Sequence, residues 1–236
     1  MFDGEVTLEQ FASMPAEYQE AVNNILTIHT VSELYGAEVF YRWIPLAPRP
    51  VDKWRMSQIL REEYGHHLRF AKLQIAMGVD VAGLEKDPLT LFTTYDAENW
   101  AEAMMFLATV DRAARLQFED FTRASFLPLR EVAQSTLKEE IGHAEFGRVR
   151  VAELCREAEA RSQAQRGLEK WFPMALGFFG RSGSPKSDRY RRWGLKRRTN
   201  DEMRRDYLEE YTRIVGEWGL SLPALSDLDR YVEHAG

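Results

Sequence analysis

Apolar residues recur at three- and four-residue spacing through two long stretches near the start of the chain, a pattern typical of helices with one buried face. The spacing predicts a first helix over residues 15–43 and a second from Asp52 to residue 77, with Gly78 as its stop. Prolines within residues 45–50 end the first helix and leave only a short loop. A short loop between long helices predicts antiparallel neighbours.

A second pair of helices should follow a connection over residues 79–95, a length that usually crosses from one helix pair to the next. Asp96 can cap a third helix over residues 97–126. Pro128 then opens a fourth helix that runs to about residue 165. No stretch alternates apolar and polar positions for long enough to predict a sheet.

These elements predict an all-α fold in which residues 1–236 form a single domain. Residues 15–165 would form a four-helix bundle, and residues 166–236 would add C-terminal helices that include a basic segment. In that extension, Thr199 and Glu202 have the spacing of a capping box and predict the start of another helix.

Each predicted helix pair carries one copy of the motif Glu-Glu-x-Gly-His, at residues 62–66 and 139–143. Residues three apart on a helix share a face, so Glu63 can point at the same spot as His66, and Glu140 at the same spot as His143. Two carboxylate–imidazole pairs in one helical bundle indicate a dinuclear metal site, and this donor set suits iron or manganese.

Each of the other two helices offers one more acid at the same level. Glu33 and Glu63 both lie roughly 17 Å from the turn that joins their helices, at about 1.5 Å per residue. Asp111 and Glu140 are also nearly level, and Asp111 lies among apolar residues, where a carboxylate needs a partner. Glu119 is the alternative to Asp111. We expect Glu62 and Glu139 either just outside the ligands or at the surface, and His29 to be an ordinary residue.

Composition fits a soluble globular protein, since 44 % of the 236 residues are hydrophobic and 29 % are charged. We expect a cytoplasmic protein, because no membrane span or signal peptide is recognisable and Cys155 is the only cysteine. The net charge is −6, yet residues 181–205 hold ten Lys and Arg against three Asp and Glu. This distribution predicts a local anionic partner and no nucleic-acid partner.

Several stretches together resemble one known family. They are Ser32-Glu33, residues 62–66, Val110-Asp111, residues 138–143, residues 171–176 and the segment Trp-Gly-Leu-Lys-Arg-Arg-Thr-Asn-Asp-Glu over residues 193–202. The chain resembles the catalytic subunits of multicomponent phenylacetyl-CoA epoxidases, which are ferritin-like di-iron oxygenases, over roughly residues 15–230. The last segment is the most specific, because metal binding alone does not require it.

The resemblance implies a ferritin-like bundle that holds two iron ions, with manganese as the other possible metal. The implied ligands are Glu33, Glu63, His66, Asp111, Glu140 and His143, and the four carboxylates are also the implied catalytic residues. The implied reaction adds one oxygen atom from O2 to the aromatic ring of an acyl-CoA, with electrons from a separate reductase. A homo-oligomer, or a hetero-oligomer with a structural partner subunit, is expected.

The substrate would need an apolar channel for its ring and cations for its CoA phosphates. We expect channel residues among Phe40, Tyr41, Phe106, Leu107 and Phe118. The candidate phosphate-binding residues are Arg192, Lys196, Arg197 and Arg198, because guanidinium and ammonium groups suit phosphate.

Three other functions remain open from the sequence. One is a di-iron oxidase or hydroxylase of the same fold that acts on another substrate, because fold and metals do not name a substrate. Another is a ferroxidase or peroxidase, which would give no reason for the late basic segment. The last is a non-catalytic scaffold subunit, which would be expected to have lost metal ligands.

Overall fold

The computed structural model describes residues 2–85 and 96–224. Its helices are α1 (Leu8–Phe11), α2 (Ala16–Trp43), α3 (Pro50–Ala76), α4 (Val81–Leu84), α5 (Trp100–Phe106), α6 (Arg112–Phe121), α7 (Leu127–Leu154), α8 (Ala158–Gly177), α9 (Pro185–Arg192) and α10 (Asn200–Glu217). Within these two ranges, the only extended pairing is an isolated bridge from Val6 to Phe126. The prediction of an all-α fold with additional C-terminal helices is confirmed.

The first helix pair forms as predicted, but α3 begins earlier than expected. Arg49 occupies the N-cap position and Pro50 the first turn, where its missing N–H costs nothing. The prediction that Asp52 caps this helix was wrong. Asp52 is fully buried and binds the guanidinium groups of Arg49 and Arg150, which joins the start of α3 to α7.

The third helix of the bundle is shorter and less regular than the predicted span of residues 97–126. Asn99, and not Asp96, caps it, because the Asn99 side chain accepts a hydrogen bond from the backbone N–H of Glu102. Between α5 and α6 the chain makes a π-helical turn, Leu107–Asp111. Such a turn adds one residue to the helical repeat and is frequent at functional sites.

The fourth helix, α7, ends at Leu154, ahead of the predicted end near residue 165, and α8 begins at Ala158. Helix α8 packs back on α5, and the indole Nε1 of Trp171 donates a hydrogen bond to the backbone oxygen of Glu102, 2.9 Å away. The predicted connection over residues 79–95 contains α4, and its part after residue 85 lies outside the described residues, as does the end of the extension after residue 224.

Helix α10 covers the irregular third helix. The predicted capping box forms, since Thr199 and Glu202 exchange side-chain and backbone hydrogen bonds. Further along α10, the hydroxyl of Tyr207 donates to the backbone oxygen of Thr109, inside the π-helical turn, at 3.1 Å. Of the helices in the described part of the chain, none is both long enough and apolar enough to cross a membrane.

Two apolar clusters occupy the ends of the bundle. One contains the end of α2 together with α5, α8 and α10, with Trp43, Phe106 and Trp171 in mutual aromatic contact. The other contains the start of α2, with Tyr18, and the end of α3, with Phe70. The predicted ligands lie along the four helices between these clusters, so the candidate site is at the middle of the bundle and enclosed at both ends.

Candidate metal centre

The structure brings all six predicted ligands together. One group of four offers ligand atoms within 4.8 Å of one another: Glu33 on α2, Glu63 and His66 on α3, and Glu140 on α7. A second group is formed by Glu63, Asp111 and His143. All six residues are buried. Glu119, the alternative to Asp111, instead pairs with Arg115 on its own helix.

Glu63 and Glu140 lie between the two groups. The Oε1 atom of Glu63 is 2.9 Å from Nδ1 of His143 and 3.9 Å from Nδ1 of His66. The Oε1 atom of Glu140 is 3.3 Å from Nδ1 of His66 and 3.8 Å from Nδ1 of His143. Two carboxylates placed between two imidazoles, together with Glu33 and Asp111, would hold a pair of metal ions.

The outer nitrogen of each imidazole contacts the first glutamate of the opposite motif. Nε2 of His66 is 3.0 Å from Glu139 on α7, and Nε2 of His143 is 2.8 Å from Glu62 on α3. A carboxylate on the outer nitrogen fixes which nitrogen carries the proton and leaves Nδ1 free for a metal. Of the two positions expected for Glu62 and Glu139, the structure therefore favours the one just outside the ligands.

An arginine holds each of these outer glutamates, and the glycine of the second motif leaves room for one of the two arginines. Arg69 contacts Glu139 at 2.7 Å, and Arg55 contacts Glu62 at 3.4 Å. A Cβ atom on Gly142 would lie 3.3 Å from the guanidinium of Arg55, closer than most real Cβ contacts. The repeated Glu-Glu-x-Gly-His pattern was the signal for this outer layer, because ligation alone requires only the second glutamate and the histidine.

Like charges dominate the interior of the site. Burial and the nearby carboxylate of Glu63 raise the pKa of Glu140 to about 8. Burial and repulsion from Glu140 and Glu63 raise the pKa of Asp111 well above its usual range. Burial opposes protonation of His143, but its hydrogen bonds with Glu62 and Glu63 outweigh burial and raise its pKa to about 10. In the metal-free protein, protons thus carry positive charge that metal ions would otherwise supply.

The residues present fit a dinuclear metal centre. Oδ2 of Asp111 is buried, has no hydrogen-bond partner in the described part of the chain, and lies 4.0 Å from Nδ1 of His143. Buried polar atoms are normally paired, so a buried carboxylate oxygen without a partner indicates a missing partner. Four carboxylates and two imidazoles also balance the charge of two divalent ions.

His29, expected from the sequence to be an ordinary residue, is part of this site. Its Nδ1 atom is buried, 3.6 Å from Oε1 of Glu33, and its ring stacks on Phe70 at 5.2 Å between centroids. His29 also lines a cleft of about 590 Å³ that opens toward α9. Ile25, Phe121 and Phe179 form apolar parts of that cleft. The cleft therefore reaches the residue next to a predicted metal ligand.

Two of the predicted phosphate-binding residues have no access to this cleft. Arg192 lies outside it and pairs with Glu17 at 2.7 Å. Arg198 is held between α6 and α10 by Asp120 at 3.2 Å and Asp206 at 3.0 Å.

The other two predicted phosphate-binding residues point to different pockets. Lys196 lines the cleft, and its ammonium donates to Asn200 at 3.0 Å. Burial lowers the pKa of Lys196 to about 8. Arg197 lines a separate shallow pocket together with Arg123 and Arg130. The structure thus separates two side chains that are adjacent in the sequence.

The aromatic residues expected to line a channel divide in a similar way. Phe40 and Phe106 pack in the apolar cluster with Trp43 and do not line the cleft. Tyr41 is 62 % exposed on the outside of the bundle, so its assignment to an internal channel was wrong. Phe118 does not line the cleft either, but its ring lies beside that of His29, which does, with 5.2 Å between centroids.

Sequence comparison places these features in a known context. The profile of the family described as "Phenylacetic acid catabolic protein" matches residues 6–236. The chain belongs to this family. Among curated proteins, the chain is similar to a subunit of the 1,2-phenylacetyl-CoA epoxidase of Escherichia coli (strain K12), with 26 % identity over 228 residues that cover 93 % of this chain and 74 % of the relative.

Membership in the phenylacetic acid catabolic protein family confirms the resemblance drawn from the motifs. It also confirms the prediction of an enzyme of the oxygenase type that serves phenylacetate catabolism. The buried carboxylate–imidazole groups could hold metal, in keeping with this family. The ligand role of each of the six residues stays a prediction, as does the role of the basic residues.

Proposed function

We propose that this chain is the catalytic subunit of a di-iron monooxygenase that adds one oxygen atom from O2 to the aromatic ring of an acyl-CoA, with phenylacetyl-CoA as the first candidate. The family and the E. coli relative support this proposal. The observation that carries it is the position of His29, which lines the cleft and lies 3.6 Å from Glu33. A substrate in the cleft would therefore contact a residue that lies directly beside a predicted metal ligand.

Six side chains would hold two iron ions, with manganese as the alternative metal: Glu33, Glu63, His66, Asp111, Glu140 and His143. The chemistry supplied by a bound iron pair is the reductive activation of O2. Glu62 and Glu139 hold the two imidazoles in the orientation that metal binding requires. The apolar clusters above and below the site exclude water, which protects a reactive oxidant from side reactions.

The cleft has the chemistry that an acyl-CoA needs. It is lined by the cations Lys186, Arg189 and Lys196, which suit the phosphates of CoA. Its inner part is apolar and ends at His29 and Phe121, whose ring planes are nearly perpendicular at 5.3 Å. We propose that the substrate ring lies against these two residues. Of the four phosphate-binding residues predicted from the sequence, this proposal keeps Lys196. Lys186 and Arg189 take the place of the other three.

The electrons would come from a separate reductase, because the sequence holds one cysteine, too few for an iron–sulfur centre, and no Gly-x-Gly-x-x-Gly motif. The relative's name describes it as one subunit of an epoxidase, which supports a hetero-oligomer with a structural partner subunit for this chain. We propose a cytoplasmic location, where CoA esters are formed and used.

The test is turnover of phenylacetyl-CoA by the iron-loaded protein with O2 and a chemical reductant. We expect a product one oxygen atom heavier by mass spectrometry, with the label incorporated from ¹⁸O2. Lys196→Met should raise KM for the CoA ester without changing iron content, whereas Arg192→Ala, outside the cleft, should change neither. Rapid iron oxidation without any oxygenated product would instead support a ferroxidase and refute the proposal.

A further inference from the structure

The wall of the bundle formed by α3 and α7 is thin at the level of the metal centre. Each metal-facing imidazole is followed outward by one carboxylate and one arginine: His66, Glu139 and Arg69 on one side, and His143, Glu62 and Arg55 on the other. Arg69 is 31 % exposed and Arg55 is 24 % exposed. Two short hydrogen-bonded paths thus lead from the ligands to the surface.

The exposed side of α3 has an unusual composition. Trp54, Arg61, Leu68 and Ile75 recur every seven residues and form one stripe along the whole helix. The three apolar members are each more than 60 % exposed. Large exposed apolar residues that share one face of a helix, here with Arg61 between Trp54 and Leu68, mark a candidate protein–protein interface.

This surface is also basic, although the chain carries a net charge of −6. The exposed charged residues of α3 are Lys53, Arg61 and Lys72, and its acids are all buried or partly buried. Across the wall, α7 adds Lys138, one residue before Glu139. Within residues 2–85 and 96–224, Arg61, Lys72 and Lys138 form no ion pair, so their charge is available to a partner.

We propose that the α3–α7 surface, defined by Trp54, Arg61, Leu68, Ile75 and Lys138, docks an acidic protein that carries one electron at a time. Apolar contact along the stripe would give affinity, and the unpaired cations would steer an acidic partner. Docking there places the carrier beside the two paths to the imidazoles. Each encounter would transfer one electron, so that the carrier loses one electron and one ferric ion becomes ferrous; two encounters reduce the pair.

This inference rests on the proposed function, because only a redox-active centre needs an electron carrier. The first measurement does not depend on activity. Binding of an acidic plant-type [2Fe–2S] ferredoxin, used as the probe, is followed by titration of the metal-free chain at low and at moderate salt. We expect binding that weakens with salt and that weakens about tenfold or more in Arg61→Glu/Lys138→Glu. The matched control, Arg156→Glu/Arg166→Glu, reverses two exposed cations outside this surface and should bind as the wild type does.

The second measurement is the rate at which reduced ferredoxin reduces the iron-loaded protein. It should fall in parallel with binding, while reduction by dithionite, which needs no docking, stays unchanged. Failure of ferredoxin to bind the wild-type chain, or equal binding by the reversed-charge variant, would overturn the inference. So would self-association of the chain that Leu68→Asp abolishes, because the stripe would then join two copies. Product formation with a chemical reductant tests the proposed function separately.

Discussion

Replacement of Glu140 by glutamine should stabilise the metal-free protein at neutral pH. Burial and the carboxylate of Glu63 raise the pKa of Glu140 from 4.5 to about 8. The folded state therefore holds a proton that the unfolded state releases above pH 4.5, and wild-type stability falls as the pH rises from about 4.5 to about 8. Each pH unit above 4.5 lowers the free energy of unfolding by about 1.4 kcal/mol, so the wild type has lost about 3 kcal/mol of stability at pH 7. Glutamine does not ionise, so the variant does not lose this stability.

The assay is urea unfolding of both proteins in the presence of a chelator, between pH 4 and pH 8. The variant should match the wild type near pH 4 and exceed it by about 3 kcal/mol at pH 7, which corresponds to a melting temperature about 6–12 °C higher. The control is Glu145→Gln on the same helix, an exposed residue paired with Arg148, which should change stability by less than about 1 kcal/mol.

Added iron should reverse the order of stability. The wild type gains stability from an ion that binds only the folded state, whereas the variant lacks a carboxylate between the two imidazoles and should gain much less. The reasoning would be refuted by a metal-free variant that is no more stable than the wild type at pH 7, or by a stability difference that does not grow from pH 4 to pH 8.

Three further outcomes follow from the same contacts. Because the pKa of His143 is raised to about 10, metal binding at pH 7 must displace its proton. Metal affinity should therefore rise from pH 6 to pH 8. Calorimetry in buffers of different ionisation enthalpy measures both the affinity and the proton release. Glu139→Ala should weaken metal affinity about 10- to 100-fold, measured by competition with a chromophoric chelator. Gly147→Ala should lower the free energy of unfolding in urea by about 1–3 kcal/mol, because a methyl group there would lie 2.5 Å from the backbone nitrogen of Ala108. The control is Gly216→Ala, which has open space around it and should not destabilise the protein.

The sequence was sufficient to predict the bundle and the meeting of the six candidate ligands. The reason is geometric: helical rise and a short loop fix the level of each residue, so Glu33 and Glu63 had to lie opposite each other once the helices formed. A repeated motif then supplied two independent copies of the same pattern. The confirmed features are those that depend on local periodicity and on distance from a turn.

Other features depend on tertiary contacts that periodicity does not encode. The π-helical turn that ends at Asp111 has no local sequence pattern, and the backbone oxygen of Thr109 within it accepts a hydrogen bond from Tyr207 on a distant helix. Asp52 has the residue type of a helix cap, yet two arginines hold it in the interior. His29 lies on an apolar face that predicts core, and only the fold shows that this part of the core borders the cleft and Glu33.

The crossed contacts between the two motifs have a consequence for how such a protein could arise by gene duplication. The outer glutamate of α3 orients the imidazole of α7, and the outer glutamate of α7 orients that of α3. A lone ancestral hairpin with one motif would lack the group that aligns its own histidine. Such a hairpin could complete a site only by pairing with a second hairpin. The duplicated chain would then hold in one polypeptide the contacts that two separate chains first made with each other.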